Sequence, residues 1–215
     1  MKDLAIFGIG GFGREVQMLI EQINEVTPSW NIIGYYDDDA SKLNINGLPY
    51  LGTYSDLRKV KKDLAVVFAI GNPEIKERLI LGINSDKIYY PTLIHPSVIH
   101  GRLEYLKLGV GVVICAGCLI TTNIVIGDHV ILNLACTVGH DTIIKDFCSF
   151  MPSVNISGEM LIERKVYVGT GAKLINRITI GENSTIGAGS VVVKDLPSNC
   201  VAVGSPAKPI KFKNV

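Results

Sequence analysis

Residues 126–144 read Ile126-Gly-Asp-His-Val-Ile-Leu132-Asn-Leu-Ala-Cys-Thr-Val138-Gly-His-Asp-Thr-Ile-Ile144, and a large apolar residue returns at every sixth position. Followed outward in both directions, the same step runs without a break from Leu108 through Ile114 and Ile120 to Ile180, Ile186 and Val192. All fifteen positions are large and apolar. In a chain that is 47% hydrophobic, chance gives such a run with a probability of order 10⁻⁵ before correction for the six phases. Four residues after the large positions comes a second set, mostly small or β-branched, including Val112, Cys118, Val130, Cys136, Cys148, Val166, Ala172, Ser184 and Ser190. One large and one small inward residue per hexad describe one flat side of a triangular coil. Three hexads then close an 18-residue turn, and five coils stacked at ~4.8 Å make a prism roughly 24 Å tall. Gly109, Gly127, Gly139, Gly169, Gly181 and Gly187 directly follow large positions, where the pattern predicts sharp corners with unusual φ/ψ.

Upstream of residue 92 the texture differs. Leu4 to Phe7 and Ile32 to Tyr36 flank a helical pattern with apolar residues at Val16, Leu19, Ile20 and Ile23, which is a βαβ unit. A second unit follows, with Ser55-Asp56 predicted to cap a short helix through Lys61 and Leu64 to Ile70 as a strand. Gly71-Asn72-Pro73-Glu74 then leads into a helix through Leu81, with Pro73 suited to its first turn. Three segments result: an α/β Rossmann-like half domain over 1–92, a parallel β-helix over 93–196 and a C-terminal tail over 197–215.

Composition excludes several classes. Lys and Arg number 21 against 20 Asp and Glu, so no overall basic field is present to hold a nucleic acid or an anionic membrane. The start, MKDLAIFGIGGFGRE, lacks the unbroken apolar stretch of a signal peptide, and nowhere do 18 apolar residues run together. A cytoplasmic location is expected. Five cysteines are an odd number, which argues against a secreted disulfide scaffold, and Cys118, Cys136 and Cys148 fall on the small inward set. Cys115-Ala-Gly-Cys118 permits a redox or zinc reading but has no second CxxC and no nearby His.

The hexad array, closing with Ile186-Gly-Ala-Gly-Ser-Val-Val-Val-Lys-Asp and then Val203-Gly-Ser-Pro-Ala-Lys208, resembles the hexapeptide-repeat acyltransferases. Gly8-Ile-Gly-Gly-Phe-Gly13, Asp37-Asp38, Gly71-Asn72, Asn133 and Gly139-His140-Asp141 are similar to one branch of that family. The branch contains bacterial acetyltransferases of nucleotide-linked amino sugars and sialic acid O-acetyltransferase-like proteins. The resemblance covers essentially the whole chain. It implies a left-handed coil, although parallel crossovers are right-handed in about 98% of cases. It also implies a homotrimer, with acetyl-CoA as co-substrate and no metal. The expected reaction is N-acetylation of the 4-amino group of a UDP- or dTDP-linked 4-amino-4,6-dideoxy sugar, for surface polysaccharide or glycan. Sugar O-acetylation is the alternative within the class; a non-catalytic trimeric scaffold that binds a nucleotide is the alternative outside it.

On sequence alone His140 is either a surface histidine or a catalytic one, and the adjacent Asp141 favours the second, because a carboxylate on one ring nitrogen makes the other more basic. Adjacent residues on an ideal strand face opposite ways, so the pair cooperates only across a bend. The resemblance makes His140 the general base, Asp141 its partner where many relatives have Glu, and Asn133 a contact to the acceptor; an internal asparagine ladder is the other reading of Asn133. It places the Gly158 amide, one coil beyond His140, against the thioester carbonyl. Ser149, Thr170 and Ala188 match positions along the coenzyme A arm, with Ser149 replacing a histidine of some relatives. Lys208, Lys211 and Lys213 suit the phosphates of coenzyme A or are solvated terminal lysines. Gly8-x-Gly10-x-x-Gly13 with Asp37 fits a dinucleotide loop, yet the α/β portion is too short for a full dinucleotide domain. The resemblance assigns Gly10, Gly11, Phe12, Asp37, Asp38 and Gly71 to the nucleotide-sugar, with Phe12 standing where several relatives have His. Of the four histidines only His129 and His140 lie in the hexads, a poor match to a three-histidine zinc site.

Overall fold

The computed structural model describes residues 1–39, 41 and 44–213. The N-terminal part runs β1 (Lys2–Phe7), α1 (Gly11–Val26), β2 (Trp30–Tyr36), β3 (Asn44–Ile45), β4 (Leu48–Gly52), α2 (Tyr54–Leu57), β5 (Leu64–Phe68), α3 (Pro73–Leu81) and β6 (Ile88–Tyr89). The sheet order is β3-β4-β2-β1-β5-β6, with β1 parallel to both β2 and β5. At its edge β3 and β4 pair antiparallel around Asn46-Gly47, both at positive φ, as a tight two-residue hairpin turn requires. A Cβ on Gly13 would collide with the Gly8 carbonyl, so glycine there lets α1 leave directly off the end of β1. The cap of α2 is Thr53 rather than Ser55-Asp56, and the helix ends at Leu57 instead of Lys61. The Asp56 carboxylate accepts from both the Thr53 N–H and hydroxyl, closing a capping box one residue pair earlier.

From Leu93 the chain winds into a parallel β-helix of three faces. The first face stacks Leu93–Ile94, Val113–Ile114, Ile131–Leu132, Ser149–Phe150, Tyr167–Val168 and Thr185–Ile186. The second stacks Ile99–His100 through Thr137–Val138 to Val191–Val192, and the third Leu106–Leu108 through Ile143–Ile144 to Thr179–Ile180. Val113 pairs with Ile131, Ile131 with Ser149 and Ser149 with Tyr167, a constant register of 18 residues. Fourteen of the fifteen large hexad positions are buried and Leu108 is partly buried. The small set is buried with them, the three cysteines included. The coil starts before the hexad frame because Leu93 pairs with Val113, twenty residues on, and the two extra residues are taken up around the 3₁₀ turn Leu103–Tyr105.

Two expectations change. Positive φ falls on every sixth residue from Gly111 to Gly189, three places after each large position, and not on the glycines that follow those positions. Those glycines answer to a different constraint: a Cβ on Gly139 would lie 2.5 Å from the Gly158 nitrogen, and one on Gly169 would lie 2.6 Å from the Ala188 nitrogen. Stacked backbones approach too closely there for any side chain. The segment expected as a tail is structured in large part: Cys200–Gly204 extends the first face beside Thr185–Ile186, and Ala207–Phe212 returns antiparallel to it. Buried Cys200 and Ala202 close the end of the core. Asn214 and Val215, the last of that segment, lie outside the described residues.

The α/β part rests on the first face, where Leu19 and Ile20 of α1 join Leu93, Val113, Cys115 and Ile131 in one cluster. The glycine distances give a stability test. Gly139→Ala should cost about 1–3 kcal/mol by overpacking, whereas Gly10→Ala, with nothing within 4 Å of the new Cβ, should leave the denaturation midpoint within error.

Candidate active site

The corner between the second and third faces carries His140. Asp141, next to it, has φ 57°, and this left-handed bend turns two neighbouring side chains onto the same side. His140 Nδ1 lies 2.8 Å from Asp141 Oδ2. The carboxylate can only accept, so Nδ1 carries the proton and Nε2 keeps its lone pair. Bonds from His140 and then from Asn123 hold the Asp141 carboxyl below its usual range. One coil on, Gly158 lies flat under the imidazole: a Cβ there would sit 2.6 Å from Nε2. The Gly158 N–H has no protein acceptor among the described residues, since the corner lifts it out of the interstrand ladder. A base nitrogen and a free backbone donor therefore share one edge of the prism, which is what acyl transfer needs on either side of a reacting carbonyl.

The other predicted residues are distributed elsewhere. Asn133, Thr170 and Ala188 belong to the corner between the first and second faces, a different edge from His140. Asn133 is buried and its Oδ1 accepts from the Leu134 N–H at 2.7 Å, while Thr170 and Ala188 are exposed. The C-terminal ends of β1, β2 and β5 form a crevice that gathers Gly10, Gly11, Asp37, Asp38 and Gly71. Gly10 and Gly11 have open space where side chains would be. Asp37 accepts from the Ile9 and Asp39 amides at 2.7 and 2.9 Å, and Asp38 from the Tyr54 amide at 2.9 Å, so both acids shape the loops. Phe12 packs on the cluster containing Cys115 and Ile131. Gly71 opens onto a cleft of about 410 Å³ shared with Asn72, Glu74, Met151, Tyr167 and Lys213. Lys208 is exposed on the terminal hairpin, while Lys213 is tied to Glu74 and Asn183.

Two family models match the chain: the PglD N-terminal domain over residues 3–81 and the bacterial transferase hexapeptide (six repeats) over 160–194. Among curated proteins, GDP-perosamine N-acetyltransferase of Escherichia coli O157:H7 is 33% identical over 98% of this chain and 97% of its own. The chain belongs to this family of hexapeptide-repeat acetyltransferases. Solved structures agree along the full length of the family fold. The acetyltransferase domain of PglB from Neisseria gonorrhoeae, in complex with acetyl coenzyme A, superposes with a TM-score of 0.88 at 30% identity, covering 97% of this chain and 99% of that one. Perosamine N-acetyltransferase from Caulobacter crescentus, in complex with CoA and GDP-perosamine, superposes at 0.85 with 28% identity and 98% coverage of both.

One expected family position is corrected. Ser149 cannot line a coenzyme A arm in this chain, because it is fully buried beneath α3 and its hydroxyl accepts from Lys76 Nζ at 3.0 Å. Lys76 is itself 1% exposed, and its second acceptor is the Cys148 carbonyl at 3.4 Å. No feature of the sequence marked Lys76, since a lysine on an amphipathic helix reads as solvated. Burial pushes its ammonium down to about 7. Among the described residues no group of three or more His, Cys, Asp or Glu side chains is arranged to hold a metal. The histidines are separate: His95 bonds Gln22 and Ser97, His100 the Gly101 carbonyl, and His129 stacks on Phe147.

Lys76 generates a signed prediction. Unfolded, it takes its proton near 10.5; folded, near 7, so between these values the unfolded chain binds more protons and stability rises with pH. Against Lys76→Met, which lacks this titration, wild-type stability should improve progressively from about pH 7 to about pH 10 and show no relative change below pH 7, in chemical denaturation curves.

Proposed function

We propose that this protein transfers the acetyl group of acetyl-CoA to the 4-amino group of a nucleotide-linked 4-amino-4,6-dideoxy sugar. The observation that carries the reading is the His140 corner, with Asp141 on Nδ1 and the unladdered Gly158 N–H beside Nε2. His140 Nε2 removes the proton as the sugar amine attacks the thioester carbonyl. The carbon–nitrogen bond forms, the Gly158 N–H faces the developing oxyanion, and collapse breaks the carbon–sulfur bond, with the proton passing to the departing thiolate. The crevice at Gly10, Gly11 and Gly71 takes the nucleotide-sugar. Expected bases are uracil and thymine, and the relatives named for GDP-perosamine bring guanine into the same set.

The crevice rides on the first face, whereas His140 stands at the edge between the other two. A triangular prism puts that edge opposite the first face, so one chain does not present its own crevice to its own His140. A homotrimer answers this, bringing His140 of one copy to the crevice and to the Thr170 and Ala188 edge of the next. The faces that meet at His140 carry exposed Ile99, Leu119, Val125 and Ile143. No helix among the described residues is long and apolar enough to cross a membrane, and the proposed substrates belong to the cytoplasm.

A thiol-release assay with acetyl-CoA against UDP-, dTDP- and GDP-linked 4-amino sugars, with free sialic acid as the O-acetylation arm, tests the acceptor. His140→Ala should lower kcat by about 10² to 10⁴ with the KM for acetyl-CoA near wild type and the fold intact; wild-type turnover of the true acceptor by that variant sinks the mechanism. Val125→Glu with Ile143→Glu should convert a trimer in sedimentation velocity to monomers and abolish turnover. A fully active monomer overturns the shared site.

A further inference from the structure

We propose that Asn123 is a positioning residue for the His140–Asp141 pair, the upper rung of a polar column that runs Asn123, Asp141, Glu159, Arg177 along the catalytic corner. This rests on the reading of His140 as base. The four residues occupy the same place in successive coils, with φ of 57, 57, 56 and 61°. Asn123 Nδ2 donates to Asp141 Oδ1 at 2.9 Å while Oδ2 faces His140 Nδ1 at 2.8 Å, so the carboxylate is gripped at both ends and cannot rotate off the ring. Below it, Arg177 holds Glu159 in a two-pronged pair, both contacts at 3.0 Å. The Glu159 N–H in turn donates to the His140 carbonyl at 2.7 Å.

The column answers an electrostatic problem. Two carboxylates on adjacent coils lie near one imidazole, and two free negative charges there raise its proton affinity. Asn123 aims one of them at Nδ1 without adding charge, and Arg177 neutralises the other. Asp141, Glu159 and Arg177 are the charged groups that face His140. Both carboxyls sit below their usual range, each through the partner that grips it. A conformational reason for asparagine at φ 57° is insufficient, because Ala135, Phe147, Lys165 and Arg177 adopt the same corner angle. What distinguishes Asn123 is its amide bond to Asp141.

The test uses Asn123→Gly, which suits the left-handed corner and removes only the amide, and Asn123→Asp, which keeps the shape and adds a charge. With the amide gone, Asp141 turns away, His140 loses its carboxylate and its proton affinity falls. Asn123→Gly should therefore show kcat about tenfold lower, KM values unchanged, a wild-type melting temperature, and an acidic limb of the kcat/KM profile moved to lower pH. Asn123→Asp should move that limb to higher pH. Should Asn123→Gly fail to fold, the direction of the Asn123→Asp limb carries the test. Wild-type kcat and an unmoved limb in both variants, alongside an inactive His140→Ala, overturn the positioning role and leave the base intact. An active His140→Ala instead overturns the reading beneath it.

Discussion

Stacking one coil on the next in an unbroken 18-residue register is the constraint from which the other features descend. Each strand of two or three residues is too short to stand alone, and its amide and carbonyl groups are satisfied only by the coils above and below. The register stacks like on like: Cys118 below Cys136, Ile126 below Ile144, Leu132 below Phe150. The interior is thereby reduced to a few columns of one size class each. Corners repeat at the same place in every coil, and the chain must enter the left-handed region there even where the residue is Ala135 or Phe147. The strain of those turns is offset by the columns packed inside them.

Close backbone approach at the corners explains both the glycines and the site. At Gly139 and Gly169 the next coil leaves no room for a methyl group. At Gly158 the same closeness gives the His140 ring a flat floor. A corner amide falls outside the ladder in every coil. Several are answered by carboxylates, as Val110 is by Asp128 and Asp128 by Asp146. The Gly158 amide is left facing outward beside Nε2. The chemistry thus occupies a defect that the solenoid must have at each corner.

The join between the two parts obeys a different logic. Above, α1 and the first coils meet through apolar contacts; below, α3 meets the same face through Lys76 on Ser149 and Glu77 on Arg164 and Lys165. A buried ammonium without a carboxylate partner is costly, and its proton affinity falls accordingly. The charge is placed where the α/β part must hold its angle on the prism, beside the cleft at Gly71 and Met151.

Periodicity determined the solenoid, its coil length and its two inward columns, because a repeat of fifteen hexads leaves no other way to bury that many apolar residues. The Rossmann-like half and the Asn72–Pro73 helix start were legible from local chemistry. Local motifs also carried the His140–Asp141 pair and, one coil away by simple counting, Gly158. The Asn46-Gly47 hairpin was signalled by its dipeptide and went unread, and the Thr53 cap lost to a neighbouring serine of equal propensity. What only the tertiary structure decided is everything that depends on direction and contact across distance. It turned adjacent residues onto one side at a φ of 57°, buried Ser149 under a lysine 73 positions earlier, and set the crevice and His140 on opposite sides of the prism. Periodicity names which residues point inward; corner angles and the docking of a second domain determine which outward residues meet, and no local pattern in the chain encodes them.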